Sequence, residues 1–371
     1  MLKVITVVGT RPEIIRLACV IKLFDRYTRH IFVHTGQNYD YELNEIFFKD
    51  LELRKPDYFL NVNTSSLGHV LGETLIGIEE ILDKEKPDAM LILGDTNASI
   101  AAIMAKRKHV PIYHMEAGNR SFDANVPEEI NRKMIDHIAD FNLVYTENSR
   151  RHLLAEGLSH RRVYLTGSPM FEVLQQYLPV IKQSRVLSEL GLEAEKYFLV
   201  SVHREENVDF NANLRAIGKV LNSLASEYKL PIIVSTHPRT RKRIEALENF
   251  EFDSQVQFLK PFGFLDYNWL QMNALCVVSD SGTISEESSI LKFPAITIRN
   301  SMERPEAIDA GTIVLTGFDP DTVLDSIKLV VEEKARYTRI CPEYEVENTA
   351  MRVLKLVLGT AKLHKQWSGL Y

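Results

Sequence analysis

The stretch VITVVGTRPE, residues 4–13, decides the fold at the start of the chain. Five residues of high β propensity lead into Gly9, as in the first βα unit of a nucleotide-binding domain. Pro12 fits the first turn of a helix, where its missing N–H leaves no hydrogen bond unmade. A dinucleotide-binding turn would continue with more glycines, but Thr10 and Arg11 follow instead. The stretch therefore predicts a strand, a turn that carries a cation, and a helix.

The composition is that of a globular protein with about two domains. The chain has 371 residues, of which 45% are hydrophobic and 25% charged, and its length suggests more than one core. The formal net charge is −6. Such a balance gives neither the basic field that binds nucleic acid nor a polybasic surface for membranes. We expect neither partner.

The cysteines and the N-terminal sequence indicate a cytoplasmic protein. Cys19, Cys276 and Cys341 are far apart and include no C-x-x-C pair, so we expect reduced thiols and no disulfide or zinc site. Lys3 and Gly9 bound the first apolar run, which is too short for a signal peptide. No apolar segment approaches the roughly 18 residues that a membrane span needs.

Short apolar runs alternate with amphipathic stretches along the whole chain. Ten runs predict strands: VITVV, HIFVHT, AMLILG, PIYHM, FNLVYT, YFLVSV, PIIVST, ALCVVSD, PAITI and TIVLTG. Continuous hydrophobic strands separated by helices predict parallel sheets covered on both faces. The alternation restarts once, which predicts an α/β protein with two Rossmann-like domains. We place them at residues 1–168 and 169–350, with a helix at 351–371 that packs back on the first.

Acidic residues follow the predicted strands of the first domain, at the edge where parallel sheets bind ligands. Asp95 follows LILG, Glu116 stands in IYHMEAGNR, and Glu128 opens a helix in NVPEEINR. Each carboxylate alone is typical of a helix cap or a partner of the helix dipole. Three at one sheet edge also suit proton transfer, so both interpretations are open.

Cationic side chains follow strands in both domains. Arg11, beside a helix start, suits an anionic ligand or an ion pair with Glu13. Arg16, farther along the same helix, faces the same edge or solvent. His203 ends the first strand of the second domain and is either a ligand contact or a structural histidine.

The stretch VVSDSGTISEESS, residues 277–289, is the strongest local signal for a phosphate site. A strand ends there, and Ser281 and Thr283 precede a helix whose free N–H groups suit phosphate. Glu287, a turn later, suits ribose hydroxyls, and Arg304 adds a cation downstream. A capped structural helix is the alternative interpretation.

Seven ordered motifs make the chain resemble a known family. GTRPE, LGDT, EAGNR, PEEINR, HREEN, SDSGTISEES and ERPEA occur in the order seen in non-hydrolysing UDP-N-acetylglucosamine 2-epimerases. The resemblance covers essentially the whole chain. It implies two Rossmann-like domains in a GT-B arrangement with an inter-domain active-site cleft. It also implies a homodimer and an isomerase that needs neither nicotinamide nor metal.

The resemblance implies a role for each matching residue. Asp95, Glu116 and Glu128 match carboxylates implicated in proton transfer, and His203 and Arg11 would contact the diphosphate, His203 as part of the catalytic set. Arg16 stands at a substrate-binding position. The other matches would bind the nucleotide: Ser281, Gly282 and Thr283 the phosphate, Glu287 the ribose, Arg304 the diphosphate or sugar, and Phe262 and Tyr267 the uracil.

Three departures from the family pattern bear on the substrate. The family commonly has lysine at position 16 and HRREN where this chain has HREEN, and the loop NRSFDANVPEE is short. With HTGQNYDYELNEIFF, these features resemble the branch that converts UDP-2-acetamido-2,6-dideoxy-L-talose to UDP-N-acetyl-L-fucosamine for capsule and O-antigen synthesis. The expected reaction eliminates UDP to a glycal and adds it back.

Other functions fit parts of the pattern. A second epimerase reaction, UDP-N-acetylglucosamine to UDP-N-acetylmannosamine, needs the same motifs. A glycosyltransferase of this architecture would bind the same donor but needs an acceptor. A hydrolysing 2-epimerase would release free sugar, and a nucleotide-sugar sensor would need no proton-transfer carboxylates.

Overall fold

The computed structural model describes residues 1–36, 41–123, 126–247, 249–334 and 341–369, without the side chains at 41–45, 205–206 and 238–239. Parts of two sequence features used above, HTGQNYDYELNEIFF and NRSFDANVPEE, therefore lie outside the described residues. The chain forms two compact units: unit 1, Met1–Val173 with Val346–Tyr371, and unit 2, Leu174–Glu345. The domain bounds 1–168, 169–350 and 351–371 stay a prediction.

Unit 1 is built on a parallel sheet with strand order β3-β2-β1-β4-β5-β6-β7. The strands are β1 Lys3–Val8, β2 Arg29–His34, β3 Tyr58–Phe59, β4 Ala89–Leu93, β5 Ile112–Ala117, β6 Phe141–Val144 and β7 Val163–Leu165. Its helices are α1 Arg11–Tyr27, α2 Tyr41–Asp50, α3 Leu67–Glu85, α4 Ala101–Arg107, α5 Glu128–Ile138 and α6 Glu147–Ala155. Every residue of β4 is buried, as expected for a strand covered on both faces.

Unit 2 repeats the plan with strand order β10-β9-β8-β11-β12-β13, again parallel. After α7 Met170–Ile181 and α8 Val186–Glu189, the strands are β8 Phe198–Ser201, β9 Ile232–Ser235, β10 Val256–Leu259, β11 Cys276–Ser279, β12 Ala295–Thr297 and β13 Val314–Leu315. The helices are α9 Glu205–Val208, α10 Asn211–Tyr228, α11 Pro238–Glu245, α12 Phe264–Asn273, α13 Ile284–Leu291, α14 Glu306–Asp309 and α15 Pro320–Glu332. The prediction of two Rossmann-like α/β domains is confirmed.

The sequence interpretation missed three strands, and all three lie at sheet edges. The missed strands are β3, β7 and β10, which have two to four residues each. Edge strands are often short and only partly buried, so they lack the continuous apolar runs that identify central strands. No helix of the described residues has the length and hydropathy to span a membrane.

The last helix, α16 Thr349–Trp367, belongs to unit 1 and packs on α1. The Thr349 hydroxyl donates to the Ser168 carbonyl at 3.0 Å, and the Ala350 amide donates to Glu172 at 2.8 Å. The start of the helix is thereby fixed to the segment that follows β7.

Both sheets reverse their strand order between two central strands, which is where ligands bind in open α/β sheets. In unit 1 the reversal lies between β1 and β4, which Arg11 and Asp95 follow. In unit 2 it lies between β8 and β11, which His203 and Ser281 follow. Four predicted site residues thus follow the four strands at the reversal points.

A tight turn follows β5. The pairing of β5 with β6 shifts at Glu116, whose φ is +65°, and Gly118 has a φ of +82°. A Cβ on Gly118 would lie 2.4 Å from the Ser149 carbonyl oxygen. The turn therefore needs glycine at this position both for its backbone conformation and for its packing.

We predict that Gly118→Ala destabilises the protein much more than Gly157→Ala. Gly157 has a similar φ of +89° but no atom within 4 Å of a Cβ. Gly157→Ala, the control, should therefore lower the free energy of unfolding by only about 1–2 kcal/mol, for its backbone conformation. Gly118→Ala should lower it by about 2–4 kcal/mol, because the clash is added. Urea denaturation followed by circular dichroism measures both, and equal losses would contradict the packing argument.

Candidate functional site

The turn after β1 is closed by Glu13. Its Oε2 accepts hydrogen bonds from the backbone amides of Gly9 at 2.9 Å and Thr10 at 2.7 Å. Arg11 begins α1, and its guanidinium carbon lies 5.6 Å from the ring centre of Phe47. The side chain of Arg11 is therefore held at the carboxyl end of the sheet, as the sequence predicts.

Arg16 and Glu116 form a buried ion pair. Arg16 Nη1 donates to Glu116 Oε2, and each residue is only 7% exposed. Arg16 is therefore buried, which excludes the alternative that its side chain faces solvent. The Glu116 carboxylate also lies against the turn after β4, because a Cβ on Gly94 in that turn would be 3.6 Å from Glu116 Oε2. The pair lies beside the turn that carries Asp95.

Asp95 is joined to α5 through Arg132. Arg132 Nε donates to Asp95 Oδ2 at 2.8 Å, and its Nη1 donates to Glu129 Oε2 at 2.6 Å. Glu129 Oε2 also accepts the Ser121 amide at 3.1 Å. Arg132 therefore bridges the Glu129 carboxylate of α5 and the Asp95 carboxylate in the turn after β4. Glu128, predicted to transfer protons, is the first residue of this helix.

A buried charged cluster lies beneath the turns of β4 and β5. His114 Nε2 lies 2.9 Å from the Gly94 carbonyl oxygen, and its Nδ1 lies 3.0 Å from Asp136 Oδ1. Burial favours the neutral ring, but Asp136 and the Gly94 carbonyl outweigh it and raise the pKa of His114. Asp136 also accepts the Gly118 amide at 3.1 Å and an Arg120 Nη1 bond at 2.7 Å. The cluster thereby links the two turns from below.

In unit 2, Asp280 closes the turn after β8. Its carboxylate accepts the backbone amides of His203 and Arg204, each at 3.0 Å, and the Asn207 side-chain amide at 2.9 Å. Burial opposes the ionised form, but the His203 ring, 3.0 Å away, and these hydrogen bonds lower the pKa of Asp280 to about 2. The His203 side chain is 49% exposed, so it remains accessible at the sheet edge.

The Ser281–Thr283 turn leads from β11 into α13. The hydroxyls of Ser281 and Thr283 lie 2.9 Å apart, and the Ser281 amide donates to Ser279 Oγ at 3.0 Å. A Cβ on Gly282 would lie 2.7 Å from Glu303 Oε1, so a larger side chain would displace Glu303. Hydroxyls and the start of a helix are the groups that bind phosphate in such turns.

Arg304 lies against this turn. Its Nη1 donates to the Gly282 carbonyl at 3.2 Å and to Glu286 Oε2 of α13. Arg304 and Glu286 are both buried. A cation therefore lies beside the predicted phosphate turn, held there by a carboxylate of the following helix.

The residues predicted near uracil and ribose are connected through α12. Gln271 Nε2 donates to Glu287 Oε2 at 2.7 Å, and Phe262 lies two residues before the helix. Burial raises the pKa of the Tyr267 hydroxyl, which bonds to Ser201 and Ser279 at the ends of β8 and β11. Tyr267 and Glu287 therefore lie near the reversal point of this sheet.

The sequence interpretation missed how three residues fix the turns of the two units: Glu13, which it named only as an ion-pair partner of Arg11, and Arg132 and Asp280. Each stands inside a motif that was quoted for its neighbours, GTRPE, PEEINR and SDSGT. The spacing of Glu13 from Thr10 is that of a capping box, which was a usable signal. Among the described residues, no group of three or more His, Cys, Asp or Glu side chains is arranged to bind a metal ion.

The sequence places the chain among known proteins. Residues 24–358 match the family described as UDP-N-acetylglucosamine 2-epimerase. The chain belongs to this family. The motifs that resemble those of such epimerases contain the residues of the turns described above. The chain is an isomerase.

Solved structures of the epimerase family are similar to the chain over its whole length. A UDP-N-acetylglucosamine 2-epimerase from Rickettsia bellii is 48% identical, with a TM-score of 0.91 over 99% of this chain and 98% of its own. The Methanocaldococcus jannaschii enzyme, in complex with UDP-GlcNAc and UDP, is 32% identical, with a TM-score of 0.89 over 96% of this chain and 100% of its own.

The epimerase family includes enzymes for other UDP-sugars. A Pseudomonas aeruginosa relative, UDP-2,3-diacetamido-2,3-dideoxy-D-glucuronate 2-epimerase, is 35% identical over 331 residues. These residues make up 88% of this chain and 92% of the relative. Membership of the family therefore identifies a 2-epimerase, and the relatives differ in the sugar that their names give.

We predict that Asp280→Asn destabilises this epimerase by about 2 kcal/mol at pH 7. Since burial and its partners set the pKa of Asp280 to about 2, against 3.8 ordinarily, the ionised group stabilises the fold above about pH 4. That stabilisation is lost as the pH falls from about 4 toward 2. The difference in the free energy of unfolding between wild type and Asp280→Asn should therefore become smaller over this range.

Urea denaturation at several pH values measures this difference. Asp325, exposed on α15, gives the control variant Asp325→Asn, which should change stability by less than about 0.5 kcal/mol. A difference for Asp280→Asn that stays constant from pH 7 to 3 would contradict the linkage.

Proposed function

We propose that this chain inverts carbon 2 of a UDP-N-acetylhexosamine without hydrolysing it. The observation that carries the proposal is the placement of Arg11, Asp95, His203 and Ser281 directly after the strands at the two reversal points. Unit 1 has a cation and a carboxylate at its reversal point, and unit 2 has a histidine and a phosphate-binding turn at its own. This combination suits a reaction that separates a diphosphate from a sugar while moving a proton.

Unit 2 supplies the groups for the nucleotide. The hydroxyls of Ser281 and Thr283, the start of α13 and the buried Arg304 suit the diphosphate. Glu287, held by Gln271, is an acceptor for ribose hydroxyls. With Phe262 and Tyr267 beside the uracil, the nucleotide would lie along the carboxyl end of this sheet.

The reaction must overcome the low acidity of the hydrogen on carbon 2. In the ring form no carbonyl neighbours that carbon, so direct deprotonation is slow. In the proposed step a carboxylate takes the proton from carbon 2, the C2–H electrons form the C1=C2 double bond, and the C1–O electrons leave on UDP. Arg11, His203 and Arg304 stabilise the negative charge that develops on the diphosphate more than they stabilise the ground state.

The second half of the reaction restores the C1–O bond on its original face and forms the new C2–H bond on the opposite face. A diphosphate oxygen attacks carbon 1 of the glycal, and an acidic side chain gives a proton to carbon 2. Asp95, Glu116 and Glu128 are the carboxyl groups proposed for the two proton transfers. The ion pairs of Glu116 with Arg16 and of Asp95 with Arg132 hold two of them at their turns.

A reaction in deuterated water tests the proposal. Because the acid that protonates carbon 2 exchanges with solvent, the product should carry deuterium at carbon 2. Glu116→Gln should slow this incorporation by about 100-fold or more. The matched control is Glu227→Gln, on the exposed side of α10, which should react as wild type. Product that keeps its original hydrogen would exclude the mechanism.

For the sugar, we propose UDP-2-acetamido-2,6-dideoxy-L-talose as substrate and UDP-N-acetyl-L-fucosamine as product, destined for capsule or O-antigen assembly. Arg16 in place of lysine, the HREEN motif and the short loop before α5 support this choice. UDP-N-acetylglucosamine is the second candidate, because relatives at 48% and 32% identity are described as epimerases of that sugar.

Separate incubations with the two sugar nucleotides decide between them. We expect NMR of carbon 2 to show a kcat/KM about tenfold higher for the 6-deoxy-L-talo compound, the substrate that Arg16 and the HREEN motif support. Conversion of UDP-N-acetylglucosamine at the higher rate would make the second candidate the function.

A further inference from the structure

Glu13 joins two turns of unit 1. Its Oε2 accepts bonds from Gly9 N, Thr10 N and Thr10 Oγ1, all within 2.9 Å. Its Oε1 accepts a bond from Thr96 Oγ1 at 3.0 Å. The first three donors belong to the turn after β1 and the fourth to the turn after β4.

The two turns carry residues to which the proposed function gives roles in the reaction. Arg11 directly follows Thr10, and Asp95 directly precedes Thr96. The partners of Glu13, Thr10 and Thr96, are thus each adjacent in sequence to one of these two residues, in the turns that follow the two strands flanking the reversal point. A shift of either turn would change the separation between the guanidinium and the Asp95 carboxylate.

We propose that Glu13 is a positioning residue, which fixes the turn that carries Arg11 to the turn that carries Asp95. This inference rests on the proposed function, because it assumes that both residues act on one substrate. Glu13 acts through its neighbours, since it is 1% exposed and both of its oxygens are engaged.

The surroundings of Glu13 fit a hydrogen-bond acceptor whose charge is secondary. Burial raises the pKa of Glu13 to about 7, and the hydrogen bonds from Gly9, Thr10 and Thr96 only partly oppose that effect. A neutral group can therefore occupy the position, provided that it accepts the bonds to Gly9 and Thr10. Glutamine meets this condition: its amide oxygen replaces Oε2, and its NH2 group donates to Thr96 Oγ1.

The first experiment compares Glu13→Gln with Glu13→Met, which have similar size but differ in hydrogen bonding. We expect Glu13→Met to lower kcat by about 10- to 100-fold with KM within threefold, because displaced catalytic groups can cost that much. Glu13→Gln should keep kcat within about threefold. Equal losses in the two variants would overturn the proposal and point to proton transfer by Glu13 itself.

The second experiment cuts the link between the turns, together with the bond that Thr96 Oγ1 accepts from the Ala98 amide at 3.3 Å. Thr96→Val removes the hydroxyl but leaves the bonds of Glu13 to Gly9 and Thr10, so the start of α1 stays capped. We expect kcat to fall about tenfold in Thr96→Val and to recover in Thr96→Ser. A wild-type kcat in Thr96→Val would overturn the link, even if Glu13→Met fails to fold.

Amide hydrogen exchange separates this proposal from the proposed function. The amides of Gly9 and Thr10 should exchange faster in Glu13→Met than in Glu13→Gln or wild type, whatever the protein catalyses. A wild type that converts neither sugar nucleotide would overturn the proposed function and, with it, the catalytic consequence of the link. An active wild type with equally active Glu13→Met would overturn only the role of Glu13.

Discussion

Buried carboxylates that accept backbone N–H bonds hold the turns at the carboxyl ends of the strands. The candidate site depends on these carboxylates. Glu13 binds the turn after β1, Asp136 the turn after β5, and Asp280 the turn after β8. Removing a carboxylate from water is unfavourable unless hydrogen bonds or opposite charges replace the water. At Asp280 the amides and the His203 ring outweigh the effect of burial, whereas at Glu13 the hydrogen bonds offset it only in part. In exchange, the turns have a fixed conformation.

This constraint explains how a buried carboxylate can be held on an unfavourable backbone conformation. Glu116 and Gly118 both have positive φ, at +65° and +82°, which is unfavourable for the glutamate. The Asp136 bond to the Gly118 amide and the ion pair of Arg16 with Glu116 lock this conformation. The shift in the pairing of β5 with β6 directs the Glu116 side chain toward the turn that carries Asp95. Bulges commonly redirect a side chain in this way.

The sequence predicts the central strands and the charged residues after them, because both depend on local pattern. It does not predict which charges pair. The burial of Arg16 against Glu116, a hundred positions later, follows from sheet order, which no short window contains. The short edge strand β3 was missed for a different reason: it consists of only Tyr58 and Phe59, paired with β2, and two residues are too few to form a recognisable apolar run.

Arg11 shows why a Rossmann-like turn can lose its glycines. In a dinucleotide-binding turn, glycine lets the backbone approach the pyrophosphate. Here Glu13 accepts the amides of Gly9 and Thr10, so these donors are already engaged by a carboxylate of the same helix. A turn whose amides are used internally has less to offer an anion through its backbone, and binding must come from a side chain. We propose that the arginine that follows Thr10 supplies that charge, and a side chain can act farther from the backbone than an amide can.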